Sequence, residues 1–233
     1  MEQPGADLAG VRGSWLRRAV AVKQRYDAVL FDLLAALLDS WTLWNDVAGE
    51  AEAGQRWRAE YLRITYATGR YRPYDQLVSD AAAAVGLPRS LAGELAQRYD
   101  DIRPWPEVAG VLGRLRDAGV LLGVVTNCSE ALGRIAAARV RVPFQVVVTA
   151  ERAGHYKPAP APYQLALDEL GVEPQHCLFV AGSAYDLIGT ARVGLRTWWH
   201  DRIGMAPPPG GPTPIARRST LTPLVWHVLE RNR

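Results

Sequence analysis

A chain of 233 residues, 48% hydrophobic and 22% charged, has the make-up of a globular protein and the length of one α/β domain carrying an insertion, or of two small domains. Its net charge of +3 comes from 27 basic and 24 acidic residues with no Lys/Arg block, which argues against nucleic acid or a membrane surface as a partner. Two cysteines, Cys128 and Cys177, make no disulfide framework, no apolar run approaches the roughly 20 residues of a membrane span, and the first residues lack the order of a signal peptide, so a cytoplasmic protein is expected.

Residues 11–25, VRGSWLRRAVAVKQR, read as a short basic helix forming a surface extension. YDAVLFD (26–32) is an apolar run ending in an acid, the pattern of a buried parallel strand presenting Asp32 at its carboxyl end. The stretch 41–100 is then wholly helical in pattern. Trp57, Tyr61, Ile64 and Thr68 recur at helical spacing. So do Leu77, Val78, Ala81, Ala82 and Val85, before a stop at Gly86-Leu87-Pro88, and Leu91, Leu95 and Tyr99 continue the series.

After Pro104-Trp105-Pro106, helices and strands alternate. A helix with Val108, Val111, Leu112 and Leu115 closes at Gly119, and strand 120–126, helix 129–139, strand 144–150, helix 160–170, strand 177–182, helix 186–193 and a last strand 195–200 follow. Residues 203–218, containing APPPGGPTP, read as an irregular loop, with the pair Arg217-Arg218 solvated, and Thr222-Pro223 opens a final helix. The alternation predicts a Rossmann-like parallel sheet with helices on both faces, its core formed by 1–40 and 105–233, interrupted by an all-helical insert at 41–104.

In open parallel sheets, ligands bind at the carboxyl ends of the strands. Asp32 ends the first strand and Thr126-Asn127 the second. The third leads to His155-Tyr156-Lys157 and the fourth to Gly182-Ser183 and Asp186. Two carboxylates, a lysine and a hydroxyl–amide pair can therefore converge on one site. Cys128 reads as a small buried thiol, His155 as a loop histidine, and Trp198-Trp199 as core packing.

The ordered set resembles the haloacid dehalogenase superfamily over about residues 26–230. FDLLAALLDS (31–40) is similar to the nucleophile motif, GVVTN (123–127) to the second motif with Thr126, HYKPAPAPYQLAL (155–167) to the lysine motif with Lys157, and VAGSAYDLIGTARVGLRTWW (180–199) to the acidic motif with Asp186. Within the insert, RWRAEYLRITYATGRY (56–71) resembles the cap helix of the L-2-haloacid dehalogenase branch. The resemblance implies that the insert is a cap and that Arg58 reaches the substrate carboxylate or the departing halide, a role suited to a planar, permanently charged fork; a solvated helix arginine is the other reading. Tyr163 matches a dehalogenase-branch position, or packs in the core.

The resemblance further implies catalytic roles for Asp32, Lys157 and Asp186, and substrate contacts from Thr126, Asn127, Arg58, Tyr163, Ser183 and Leu34. Asp32 would attack the carbon bearing halogen and water would hydrolyse the resulting ester, with Lys157 keeping Asp32 ionised against the apolar loop around it. Three departures stand out. Leu34 replaces the general acid–base aspartate of family phosphatases, Gly182 replaces another of their acids, and Ala36 replaces a supporting threonine of the dehalogenases. Asp32 and Asp186 remain as the carboxylates that could hold Mg²⁺ weakly, so no metal and no other cofactor is expected. The partner is a small-molecule substrate, and a homodimer is compatible with the sequence. An atypical Mg²⁺-dependent phosphatase and a repurposed binding or biosynthetic protein are the alternative functions.

Overall fold

The computed structural model describes residues 23–207 and 209–230. The basic helix expected over 11–25 lies outside them as far as residue 22, and Lys23–Gln24 is instead a short strand, β1, paired antiparallel with β8 (Leu229–Glu230).

The first long apolar run becomes β2 (Ala28–Phe31), buried at every position. It lies parallel between β3 (Leu121–Thr126) and β5 (Cys177–Ala181). With β4 (Val146–Thr149), β6 (Arg196–His200) and β7 (Ala216–Arg218), these make a six-stranded parallel sheet of order β4-β3-β2-β5-β6-β7. The chain winds outward from β2 to β4, then returns to build the other half, so β2 ends at the switch point where such sheets open a crevice.

Alternate residues of β2 feed two cores. Val29 and Phe31 pack on one face with α5 (Val108–Asp117), α6 (Glu130–Arg139) and α10 (Leu224–Val228). Ala28 and Leu30 pack on the other with α8 (Pro160–Leu170) and α9 (Asp186–Arg192). Between β4 and α8 runs the short α7 (Ala150–Ala153). The expected sheet covered on both faces is therefore present.

One strand departs from expectation. Ala216–Arg218, read as loop, is β7 on the sheet edge. Three residues, two of them arginine, carry no apolar signal, and an edge strand needs none. The pair Arg217-Arg218 is exposed as expected, and Arg217 is also tied down: its guanidinium donates to Asp201 Oδ2 at 2.5 and 2.8 Å and lies 4.2 Å over the Trp199 ring.

The insert is helical as expected: α1 (Ser40–Ala48), α2 (Ala51–Thr68), α3 (Tyr74–Ala84), α4 (Leu91–Gln97) and a 3₁₀ turn at Tyr99–Asp101. Asp39 caps α1 by accepting from the Thr42 N–H at 3.1 Å. α1 and α2 cross so closely at Gly54 that any side chain there would run into the Asn45 backbone. Trp44, Trp57, Tyr61, Leu77 and Leu95 belong to the same continuous core as Phe31 and Val124 of the sheet.

Candidate active site

Asp32 sits one residue past β2, where its N–H still donates to Val180 O at 2.9 Å. Its two carboxylate oxygens have separate partners. Oδ1 accepts from Lys157 Nζ at 2.8 Å, and Oδ2 accepts from the backbone N–H of Ala35 (3.1 Å) and Ala36 (3.2 Å). Burial pushes the carboxyl up, but the Lys157 ammonium and the two N–H groups outweigh it and hold Asp32 below the usual carboxylate range. This is the balance expected from an apolar loop facing a lysine.

Lys157 is itself buried and shared, with Nζ 3.0 Å from Asp186 Oδ1. One ammonium between two carboxylates cannot satisfy both ions fully. Burial first, and then repulsion from Asp32, push Asp186 up to about 6 against the pull of Lys157. Asp186 Oδ1 also accepts from Tyr163 Oη at 2.9 Å, while Oδ2 is buried with no partner. Tyr163 is wedged beneath Gly189 and against Phe179. It touches Asp186 from behind and does not line the cavity.

That cavity, about 30 Å³ and thus room for roughly two waters, lies between Asp32 and α2. Asp32, Leu34, Arg58, Thr126, Asn127, Lys157 and Ser183 all border it. Arg58 is 2% exposed, stacked 4.5 Å over Trp41 and 5.6 Å from Trp44, and so is not a solvated helix arginine. Its Nη2 reaches Leu34 O at 3.5 Å, a marginal contact, and Nε and Nη1 are buried without partners. Thr126 Oγ1 is likewise buried and unpartnered. Leaving one buried donor unmade costs about 1–3 kcal/mol, more for a charged group, so the pattern calls for an anionic ligand.

The Asn127 side chain is already spent. Oδ1 accepts from the Lys157 N–H at 2.7 Å and Nδ2 donates to Lys157 O at 3.1 Å, clamping the backbone that carries the lysine. Ser183 Oγ accepts from Tyr66 Oη at 2.8 Å.

Tyr66, Trp41, Leu62 and Met205 border the cavity too and were not singled out in the sequence, and Tyr61, read there only as part of a helical period, borders it as well. Arg58, Leu62 and Tyr66 lie four residues apart on one face of α2, so the signal was available once Arg58 was placed.

The residues present do not fit Mg²⁺. Lys157 already neutralises the two carboxylates, 2.8 Å from Asp32 Oδ1 and 3.0 Å from Asp186 Oδ1, and no cluster of three His, Cys, Asp or Glu side chains occurs among the described residues. Nor can Gly182 stand in for an acid. A Cβ there would lie 2.6 Å from Asp32 Oδ2 and from the Ala35 carbonyl carbon.

The fold is that of the L-2-haloacid dehalogenase structures, an α/β hydrolase fold. The L-2-haloacid dehalogenase from Xanthobacter autotrophicus superposes with a TM-score of 0.76, covering 86% of this chain and 97% of that one at 22% identity, a likeness of fold. The model of the haloacid dehalogenase-like hydrolase family matches residues 25–194, and the chain belongs to that family. Among curated relatives, it is 29% identical to (S)-2-haloacid dehalogenase 1 of Pseudomonas sp. (strain CBS-3) over 76% of this chain and 85% of that protein. It is 27% identical to (S)-2-haloacid dehalogenase 4A of Burkholderia cepacia over 88% and 95%. No described helix is long and apolar enough to cross a membrane.

Proposed function

We propose that the protein is a metal-independent hydrolase that uses the Asp32 carboxylate to displace halide from the carbon next to the carboxylate of a small organic acid. The observation that carries this reading is the buried Arg58 guanidinium, with two nitrogens unpartnered, bordering the same cavity as an ionised Asp32. An arginine so placed can take a carboxylate or a departing halide. Thr126 Oγ1 offers a second donor to the same anion.

The chemistry follows from the two faces of Asp32. Oδ1 attacks the carbon as the carbon–halogen bond breaks, and halide leaves with the bonding pair. No proton is needed, which accords with Leu34 at the position of the phosphatase acid. Lys157 keeps the nucleophile ionised, Asp186 and Tyr163 hold Lys157, and Asn127 fixes its backbone. Water then attacks the ester's carboxyl carbon, the bond from that carbon to the product oxygen breaks, and a hydroxy acid departs. The water gives one proton to the leaving oxygen and one to solvent, and Asp32 is regenerated. Helices α1–α4 act as the cap, with α2 supplying Arg58.

Halide release from a panel of small 2-haloacids tests the proposal. Turnover should be insensitive to EDTA, and Arg58→Ala should raise KM at least tenfold, since one bidentate charged contact contributes about 1.5–3 kcal/mol. Metal-dependent hydrolysis of a phosphomonoester, with no halide released from any haloacid, would overturn it.

A further inference from the structure

The turn that holds Asp32 has no side chain able to hold itself. Leu34, Ala35, Ala36 and Leu37 carry neither hydroxyl nor amide, yet the N–H groups of Ala35 and Ala36 both aim at Asp32 Oδ2. In a trans peptide the N–H and C=O of one plane point in opposite directions, so whatever grips the carbonyl aims the N–H. The Leu34 carbonyl shares its plane with the Ala35 N–H and accepts from the Ser40 hydroxyl. The Ala35 carbonyl shares its plane with the Ala36 N–H and accepts from the Trp105 indole N–H at 3.0 Å. The next carbonyl, Ala36, accepts from His200 Nδ1 at 2.7 Å.

These donors come from three separate elements: the start of α1, the segment before α5, and the end of β6. Each is buttressed in turn. The Trp105 N–H donates to Leu37 O at 3.0 Å, and Arg202 lies 4.6 Å over its ring. Arg202 forks onto Glu107 at 3.1 and 3.2 Å, and Glu107 also accepts from Thr220 Oγ1 and the Leu221 N–H. His200 is fully buried, and burial pushes its ring down, so it stays neutral near pH 7 with its proton on the nitrogen facing Ala36.

We propose that Ser40 and Trp105 are positioning residues for the Asp32 reaction: by gripping the Leu34 and Ala35 carbonyls from outside the loop, they aim the Ala35 and Ala36 N–H groups as an oxyanion site. This rests on the proposed function. With Oδ1 as the attacking atom, Oδ2 becomes the carbonyl oxygen of the ester. When water adds to that carbon, the electron pair of the C=O moves onto Oδ2, and the two N–H groups receive the charge before it returns to expel the product oxygen. The grip takes the place of the loop threonine that Ala36 lacks.

Trp105→Phe keeps the ring and deletes the indole donor, and Ser40→Ala deletes the hydroxyl. Ser40→Thr restores a hydroxyl at the same position. The measurement is transient kinetics with a 2-haloacid that the wild type turns over, together with the intact mass of the protein. Because the donors act on the oxyanion step, Trp105→Phe and Ser40→Ala should slow ester breakdown by about tenfold or more, with kcat and KM falling together, kcat/KM unchanged and the substrate adduct accumulating on Asp32. Ser40→Thr should recover most of the rate. Should Trp105→Phe not fold, Ser40→Ala carries the same expectation. Variants that turn over within twofold of wild type with no accumulated adduct would overturn the inference alone. A wild type that releases no halide from any haloacid would overturn the proposed function and this inference with it.

Discussion

Asp186 and Asp32 share one ammonium, and they should respond to pH with opposite signs. Asp32 is held below its ordinary value of 3.8, so its contribution to stability is present above that value and is lost as pH falls through its lower folded pKa. Asp186 is pushed up to about 6, so its contribution is fully present below 3.8 and is lost as pH rises through about 6. Between pH 4 and 7 Asp32 stays ionised, so over that range Asp186→Asn removes the second dependence. The Tm advantage of wild type over Asp186→Asn should therefore shrink as pH rises from 4 to 7 in thermal melts. An advantage that widens over that range would show that Lys157 outweighs burial at Asp186. At this scale the sequence revealed the charged residues, because acid and lysine types at strand ends are rare enough to stand out. It did not distinguish Asn127 as a clamp from Asn127 as a substrate ligand, since that depends on which backbone its amide faces.

The turn joining β2 to α1 and the turn after β5 meet with almost no clearance at Gly182. A methyl group there would collide with backbone atoms of Ala35 and Ala36 and with Asp32 Oδ2, none of which can swing aside as a flexible side-chain tip can. Gly182→Ala should thus displace the Asp32 loop, lowering Tm through overpacking of about 1–3 kcal/mol and reducing kcat by more than the loss of folded protein explains. Unchanged kcat and Tm would show that the two turns have slack. Elements with a strong apolar period were legible in the sequence: β2, β3, α5 and α8 fall where the pattern put them, give or take a residue or two at their ends, while α2 contains its expected periodic residues but starts earlier, at Ala51. β7 was not, because its place is fixed by the register with β6 and by the Arg217–Asp201 pair, neither of which leaves a local pattern.

The insert and the sheet are joined by more than the two chain crossings. Tyr61 Oη donates to Asn127 O at 2.7 Å, Tyr156 Oη to Arg72 O at 2.7 Å, and the Tyr71 and Tyr156 N–H groups to Gly154 O and Gly69 O at 2.8 and 2.7 Å. One apolar core runs through both. Calorimetry should accordingly record a single cooperative transition for the whole chain, whereas two resolved transitions would mean that the helical insert unfolds on its own. These hydroxyl links were not legible in the sequence, because tyrosines at helical spacing read as ordinary core positions. Trp105 was passed over because its importance lies in the carbonyl it faces across the fold.

The direct test of covalent chemistry at Asp32 is a single turnover of a 2-haloacid in water enriched in oxygen-18, with enzyme in excess, followed by mass spectrometry of the Asp32 peptide and of the product. Attack by Asp32 and hydrolysis at its own carboxyl carbon place the label in Asp32 and leave the hydroxy acid unlabelled. Label in the hydroxy acid with none in Asp32 would mean that water strikes the substrate directly, and the account of Asp32 as nucleophile would be contradicted.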